Sequence, residues 1–160
     1  MKLPTLFFAL LFFSCQPGTR TSDDPFVKAL TKRKLENSDF FISLPPDYAV
    51  SEKRGPDFSV YYFEPNKKDP KAFIAGLYFG NHPSEFAATD SCKTEVLAGK
   101  ILGDATDWSV SECDGKITIQ TIVENGLEKG WNRQIHAFGN TTNREDLQKI
   151  LAIYSTLEEE

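Results

Sequence analysis

Alternation of apolar and polar residues between positions 40 and 137 restricts this chain to a fold built on a β-sheet. Successive side chains of a β-strand point to opposite faces, so a period of two predicts strands with one buried face. In the third such stretch Phe73 and Leu77 fall on one face, and Gly76 and Gly80 fall on the other, where a neighbour can approach closely. The alternation occurs in seven stretches, which are 40–44, 58–63, 73–79, 94–102, 108–112, 117–123 and 131–137.

Turn-forming residues separate these stretches. Asp114-Gly115 and Asn125-Gly126 are dipeptides that tight β-hairpins favour, and the polar loop 65–70 is bounded by two prolines. Hairpins join neighbouring antiparallel strands. The sequence therefore predicts an antiparallel, mostly meandering sheet of six or seven strands.

The last part of the chain changes to a helical period. Thr142 and Glu145 fit a capping box, with Thr142 as the N-cap. An apolar stripe follows at helical spacing, formed by Leu147, Ile150, Leu151, Tyr154 and Leu157. The acidic segment 158–160 would lie at the negative end of the helix dipole, so we expect it to fray.

A second helix is predicted near residues 25–34. Asp24 can cap a helix whose first position is Pro25, and three apolar residues then make a short stripe. The predicted fold class is therefore α+β, with the sheet packed against the C-terminal helix and this N-terminal helix. Phe40 with the segment Ser43-Leu44-Pro45-Pro46-Asp47-Tyr48, and the closing segment Ile150-Leu151-Ala152-Ile153-Tyr154-Ser155, loosely resemble the first strand and last helix of PsbP-like domains, which are antiparallel α/β sandwiches of exported proteins. That resemblance implies a fold and no functional residue.

The first fifteen residues have the features of a secretory signal. Lys2 precedes an apolar run that is shorter than the roughly 20 residues a membrane-spanning helix needs. The run ends in Phe12-Phe13-Ser14-Cys15, which resembles the bacterial lipobox. The resemblance implies cleavage before Cys15, a diacylglycerol on its thiol and a fatty acid on its freed amine. The alternative is an ordinary cleaved signal in which Cys15 has no special role.

This interpretation gives a domain plan with three parts. Residues 1–14 are a signal peptide, residues 15–24 a lipidated flexible tether, and residues 25–160 a single globular domain. Gln16 follows the anchor, where enteric lipoproteins retained at the inner membrane have aspartate. By that resemblance the protein is anchored in the bacterial cell envelope, at the outer membrane.

The other two cysteines, Cys92 and Cys113, form an even pair in a chain that is expected to be exported. Export compartments are oxidising, so we predict a disulfide between them. A bridge closing a loop of about 20 residues would stabilise the fold by about 3 kcal/mol. The alternative is two separate buried thiols.

No motif for catalysis, metal binding or a cofactor is present. His82 and His136 lack neighbouring motif residues, and their spacing from the cysteines does not match structural zinc sites. The net charge of −5 gives no indication of nucleic-acid binding, which requires a basic face. The short basic run 32–34 is interpreted as a solvated face.

The sequence favours a non-enzymatic lipoprotein that binds another protein or a small ligand. The binding surface would be a sheet face or the loops 65–70 and 80–91. Because Tyr61 and Tyr62 face opposite ways, one side of their hairpin could expose aromatic rings; alternatively, that side packs under a helix. Two other functions stay open: an envelope hydrolase with a site assembled from distant residues, and a structural component of the envelope.

Overall fold

The structure is a computed structural model. It describes residues 23–67, 69, 72–126, 130 and 132–160. The predicted signal peptide (1–14), Cys15, most of the predicted tether and Trp131 lie outside the described residues.

Two helices and ten strands are formed by the described part of the chain. In chain order they are α1 (Pro25–Lys28), β1 (Thr31–Lys34), β2 (Phe40–Leu44), β3 (Tyr48–Arg54), β4 (Phe58–Pro65), β5 (Ile74–Gly80), β6 (Lys93–Ile101), β7 (Asp104–Cys113), β8 (Lys116–Glu124), β9 (Gln134–Thr141), α2 (Arg144–Tyr154) and β10 (Glu158–Glu159).

Seven of these strands form one antiparallel sheet, in the order β3-β4-β5-β9-β8-β7-β6. It consists of two meanders, β3 to β5 and β6 to β9, joined where β5 pairs with β9. The predicted antiparallel sheet of six or seven strands is thus confirmed. A second, three-stranded sheet of order β1-β2-β10 was not predicted, and it takes the stretch 40–44 out of the main sheet.

The core lies between the main sheet on one side and α2 with the small sheet on the other. The predicted helical stripe is confirmed for Leu147, Ile150, Leu151 and Tyr154, which are buried on α2, whereas Leu157 is buried beyond the end of the helix. The helix approaches the sheet closely at Gly139, where an added Cβ would lie 3.0 Å from the Ile150 side chain. The alternation in β5 is also confirmed, because its apolar residues Ala75, Leu77 and Phe79 face this core.

The predicted N-terminal helix over 25–34 is wrong beyond its first turn. Asp24 does cap it, accepting a hydrogen bond from the Phe26 amide at 2.7 Å, but α1 ends at Lys28. Residues 31–34 instead form β1, which pairs with β2 from Thr31↔Leu44 to Lys34↔Phe41. A single turn is too short to be stable alone, and the backbone groups of residues 31–34 are satisfied by the ladder with β2.

Two expectations about the C-terminal helix are corrected. Its N-cap is Asn143 and not Thr142, because the Asn143 side chain accepts from the Asp146 amide at 2.8 Å. The acidic end does not fray: β10 pairs with β2, and the Glu160 amide donates to Asp39 O at 2.8 Å. Lys34 bonds the Glu160 carboxylate at 2.9 Å and lowers the pKa of Glu160. The basic run 32–34 and the acidic end therefore offset each other's charge across β2.

A disulfide joins Cys92 and Cys113, as predicted. The two residues flank the pair Lys93↔Glu112, and their Cα atoms are 4.6 Å apart. The bond therefore closes the open end of the β6–β7 hairpin at the edge of the main sheet.

Candidate functional site

The face of the main sheet opposite α2 is the candidate functional site, and we call it the outer face. It carries six rings within the described residues, those of Phe58, Tyr62, Tyr78, Phe86, His136 and Phe138. Gly76 makes room for one of them: a Cβ at this position would lie 2.6 Å from the Phe138 ring. The edge of the Tyr62 ring meets Phe138 with centroids 6.3 Å apart.

No helix covers the outer face in the described structure; a loop does. β5 and β6 run parallel with three strands between them, so their connection has to cross the sheet. We call residues 81–92 the strap. Asn81 holds its beginning by accepting from the Arg133 amide at 3.1 Å, and the disulfide at Cys92 holds its end.

Phe86 attaches the middle of the strap to the sheet. Its amide donates to Gln120 Oε1 at 2.8 Å, and its carbonyl accepts from Gln120 Nε2 at 2.9 Å. Its ring lies against His136 and meets Phe138 edge-on, with centroids 5.3 and 5.4 Å apart. The residue nevertheless stays 45% exposed, so these contacts cover only part of the ring.

His136 fixes the orientation of the Gln120 carboxamide. Its Nε2 lies 3.0 Å from Gln120 Oε1, the same oxygen that accepts from Phe86. Because that oxygen is an acceptor, His136 donates from Nε2 and Gln120 Nε2 is left facing the Phe86 carbonyl. Burial lowers the pKa of His136, and a smaller effect of Glu85 opposes this shift. The lowered pKa favours the neutral ring.

The buried neutral ring of His136 gives a pH-dependent stability. Its pKa is lowered on folding, so its contribution is complete above the unfolded value of about 6.5 and is lost as the pH falls from there towards the folded pKa. We expect the free energy of unfolding in urea to decrease between pH 7 and pH 5, and to decrease less in His136→Asn. His82→Gln, which removes the other histidine of the chain, is the matched control; an unchanged slope in His136→Asn contradicts the assignment.

The predicted loop 65–70 borders a different feature, a cavity of about 680 Å³ beside α1 and α2. Tyr48 and Phe73 stack in its wall, and the Tyr48 hydroxyl donates to Phe73 O at 2.9 Å. Lys149 faces it with its charge offset by Asp146 at 2.8 Å and Glu145 at 3.1 Å. The charge of Lys149 is therefore already engaged by carboxylates of its own helix.

The structure separates the two histidines. His136 lies under the strap, whereas His82 lies at the start of the strap, where its backbone amide donates to the Tyr78 hydroxyl at 3.3 Å. Among the described residues neither ring hydrogen-bonds a carboxylate or a hydroxyl group, and none of them form a group of three metal ligands. Cys92 and Cys113 bond to each other.

Sequence reasoning missed the two central residues of the outer face, Phe86 and Gln120. Two weak signals mark them: Phe86 is the one aromatic residue in the polar stretch 81–92, and Gln120 interrupts a run of β-branched residues. The contact joins residues 34 positions apart, and no local pattern predicts such a pairing.

Comparison with known proteins adds no relative: no protein-family model, curated protein or solved structure matches this chain.

Within the part of the chain that the structure describes, neither helix is long and apolar enough to cross a membrane.

Proposed function

We propose that this chain is a cell-envelope lipoprotein, anchored through Cys15, whose domain is a non-enzymatic binding module for a protein or a small ligand. The disulfide between Cys92 and Cys113 is the observation that carries this proposal. Such bonds persist in oxidising compartments. A signal peptide that ends before Cys15 would export the chain to such a compartment, and lipid on Cys15 would tether it there.

The outer face supports the binding role. Monomeric proteins rarely leave aromatic residues grouped on a sheet surface unless the surface contacts something. Here Phe86 is almost half exposed, and the rings of Tyr62 and Phe138 are only partly buried beneath and beside it. Aromatic residues are also the side chains that dominate protein interfaces.

The hydrolase alternative gains no comparable support. A catalytic histidine needs a nucleophile or an orienting carboxylate within hydrogen-bond reach. The described partner of His136 is the carboxamide of Gln120, which is itself bonded to the strap. A non-catalytic binding role is therefore the function that the geometry favours.

Metabolic labelling with radioactive palmitate tests the anchor. We expect the wild-type chain to incorporate label and to sediment with membranes, and Cys15→Ser to lose both, because two or three acyl chains at about 0.8 kcal/mol per buried CH₂ hold a protein firmly. Mature wild-type protein should begin at Cys15.

The double variant Cys92→Ala/Cys113→Ala is the matched control, since it removes two thiols and keeps Cys15. It should still be labelled and still sediment with membranes. A wild-type chain that takes up no label and begins at another residue would contradict the proposal, and the compartment would then have to be inferred from the disulfide alone.

A further inference from the structure

The strap lies on the outer face in the way a bound peptide would. In the described structure, every hydrogen bond and ring contact that joins residues 83–91 to the sheet is made by Phe86. The residues on both sides of it, from Ser84 to Ser91, are exposed. The strap is thus attached at its two ends and at one residue between them.

Gln120 recognises Phe86 through features that any residue of a polypeptide has. Its carboxamide pairs with both the N–H and the C=O of the same residue, at 2.8 and 2.9 Å. Two hydrogen bonds of this kind are what a residue receives from a neighbouring strand. The only part of the recognition that is specific to the side chain comes from the rings of His136 and Phe138.

The polar pair beneath Phe86 is held in place by its own hydrogen bonds. Gln120 is 8% exposed and His136 3% exposed, so both are buried and require hydrogen-bond partners. Each satisfies the other at 3.0 Å, and this leaves the Gln120 carboxamide fixed with its remaining capacity directed outward. A fixed amide beside aromatic rings is complementary to one aromatic residue and its backbone.

We propose that the outer face is a recognition site for one aromatic residue, with its backbone N–H and C=O, in a segment of a partner protein, and that Phe86 occupies this site in the unbound molecule. The inference rests on the proposed binding function and narrows it to a protein segment. The incoming residue displaces Phe86, and the strap stays attached through Asn81 and Cys92. Binding therefore competes with an intramolecular contact.

A minimal probe makes the proposal testable. N-acetyl-phenylalanine N-methylamide carries a phenyl ring on a residue whose own N–H and C=O are arranged as in Phe86. The full chain is purified in dodecylmaltoside micelles and titrated with this probe, and the backbone amide signals of residues 120, 136 and 138 are followed by NMR. We expect Phe86→Ala to bind it with a Kd on the order of 1 mM, which suits a ligand of this size. Wild-type protein should bind at least about fivefold more weakly, because its own Phe86 competes.

Two controls separate recognition from mere contact with an apolar surface. Gln120→Leu, added to Phe86→Ala, should weaken binding by about fivefold or more, because each hydrogen bond is worth about a factor of five. A probe methylated on the phenylalanine nitrogen keeps the ring and loses the donor, so it should be weakened by a similar factor. Phe86→Leu is a second variant without the competing ring, and it replaces Phe86→Ala if that variant loses its dispersed NMR spectrum. Its affinity for the probe should lie between those of Phe86→Ala and wild type.

The proposal would be overturned if wild type and both Phe86 variants bound the probe equally, or if none of them showed a shift at residues 120, 136 and 138. Gln120 would then be a residue that only holds the strap on the sheet. Equal binding of the methylated probe would overturn the backbone recognition. These outcomes are independent of the Cys15 labelling. If the protein is labelled with palmitate but does not bind the probe, the anchor is supported and this site is rejected. If it is unlabelled but binds the probe, this site is supported and the anchor is rejected.

Discussion

Replacement of Tyr154 by alanine is expected to lower the free energy of unfolding by about 3–5 kcal/mol, the range for removing a large buried aromatic side chain. Tyr154 is 0% exposed, and its ring stacks on Trp108 with centroids 5.1 Å apart. Its loss would leave a cavity between α2 and the centre of the main sheet. Urea denaturation of the full chain measures the effect as a lower midpoint.

Tyr154→Phe separates the hydroxyl from the ring. The Tyr154 hydroxyl accepts from the Gly76 amide at 3.0 Å and lies within donating distance of the carbonyls of Gly76 and Phe138. Removing it leaves a buried amide of β5 without this partner, so we expect a loss of about 1–3 kcal/mol. Tyr62→Phe, on the half-buried outer face, is the matched control and should change stability by no more than about 0.5 kcal/mol.

A Tyr154→Phe variant as stable as wild type would contradict this role. The role matters for function, because Gly76 and Phe138 belong to the two strands that meet at the centre of the sheet. Phe138 presents its backbone carbonyl to Tyr154 and its ring to the outer face. The helix on one side of the sheet therefore helps to position the aromatic residues on the other side.

The main elements of the fold were predictable because their patterns are local. Side chains two positions apart in β5 share a face, and those three or four apart in α2 share a stripe, whatever the rest of the chain does. The same reasoning identified Gly76 as a site of close approach, and the Phe138 ring occupies that space. The pairing of Cys92 and Cys113 followed from their number and the expected compartment.

The errors occur where tertiary contacts decide between local alternatives. Thr142 and Asn143 can both cap a helix, and Asn143 prevails because Asp146 both donates its amide to it and accepts from it. The strand β3 was missed because Ser51 to Arg54 are polar, which is typical of an edge strand with little buried surface. The run 31–34 became a strand because β2 was available to pair with it.

The candidate site was predictable only in part. Opposite orientations of Tyr61 and Tyr62 correctly indicate that one ring is in the core and the other on the outer face. The alternative that a helix covers that second face is wrong in the described structure, because the strap lies there instead. A loop crossing three strands leaves no periodic signal, and its attachment through Phe86 is a contact between two residues that are distant in sequence.

Removal of the disulfide should have the second largest effect on stability. The Cys92→Ala/Cys113→Ala variant is expected to unfold with a free energy lower by about 3 kcal/mol, since the bond closes a loop with a sequence separation of 21 residues and so restricts the unfolded chain. Urea denaturation of this variant and of reduced wild-type protein should give the same midpoint. Cys15→Ala, which keeps the bond, is the matched control and should unfold like oxidised wild type.

The same variant tests whether the bond also serves the outer face. Without the bond, the Cys92 end of the strap is held by the pairing of β6 with β7, while the contact between Phe86 and Gln120 remains. We therefore expect faster hydrogen exchange at the Phe86 amide and tighter binding of the phenylalanine probe than in wild type, because the competing segment is held less firmly. A loss of stability with unchanged exchange at Phe86 would limit the disulfide to closing the β6–β7 hairpin and would leave Gln120 alone responsible for holding the strap.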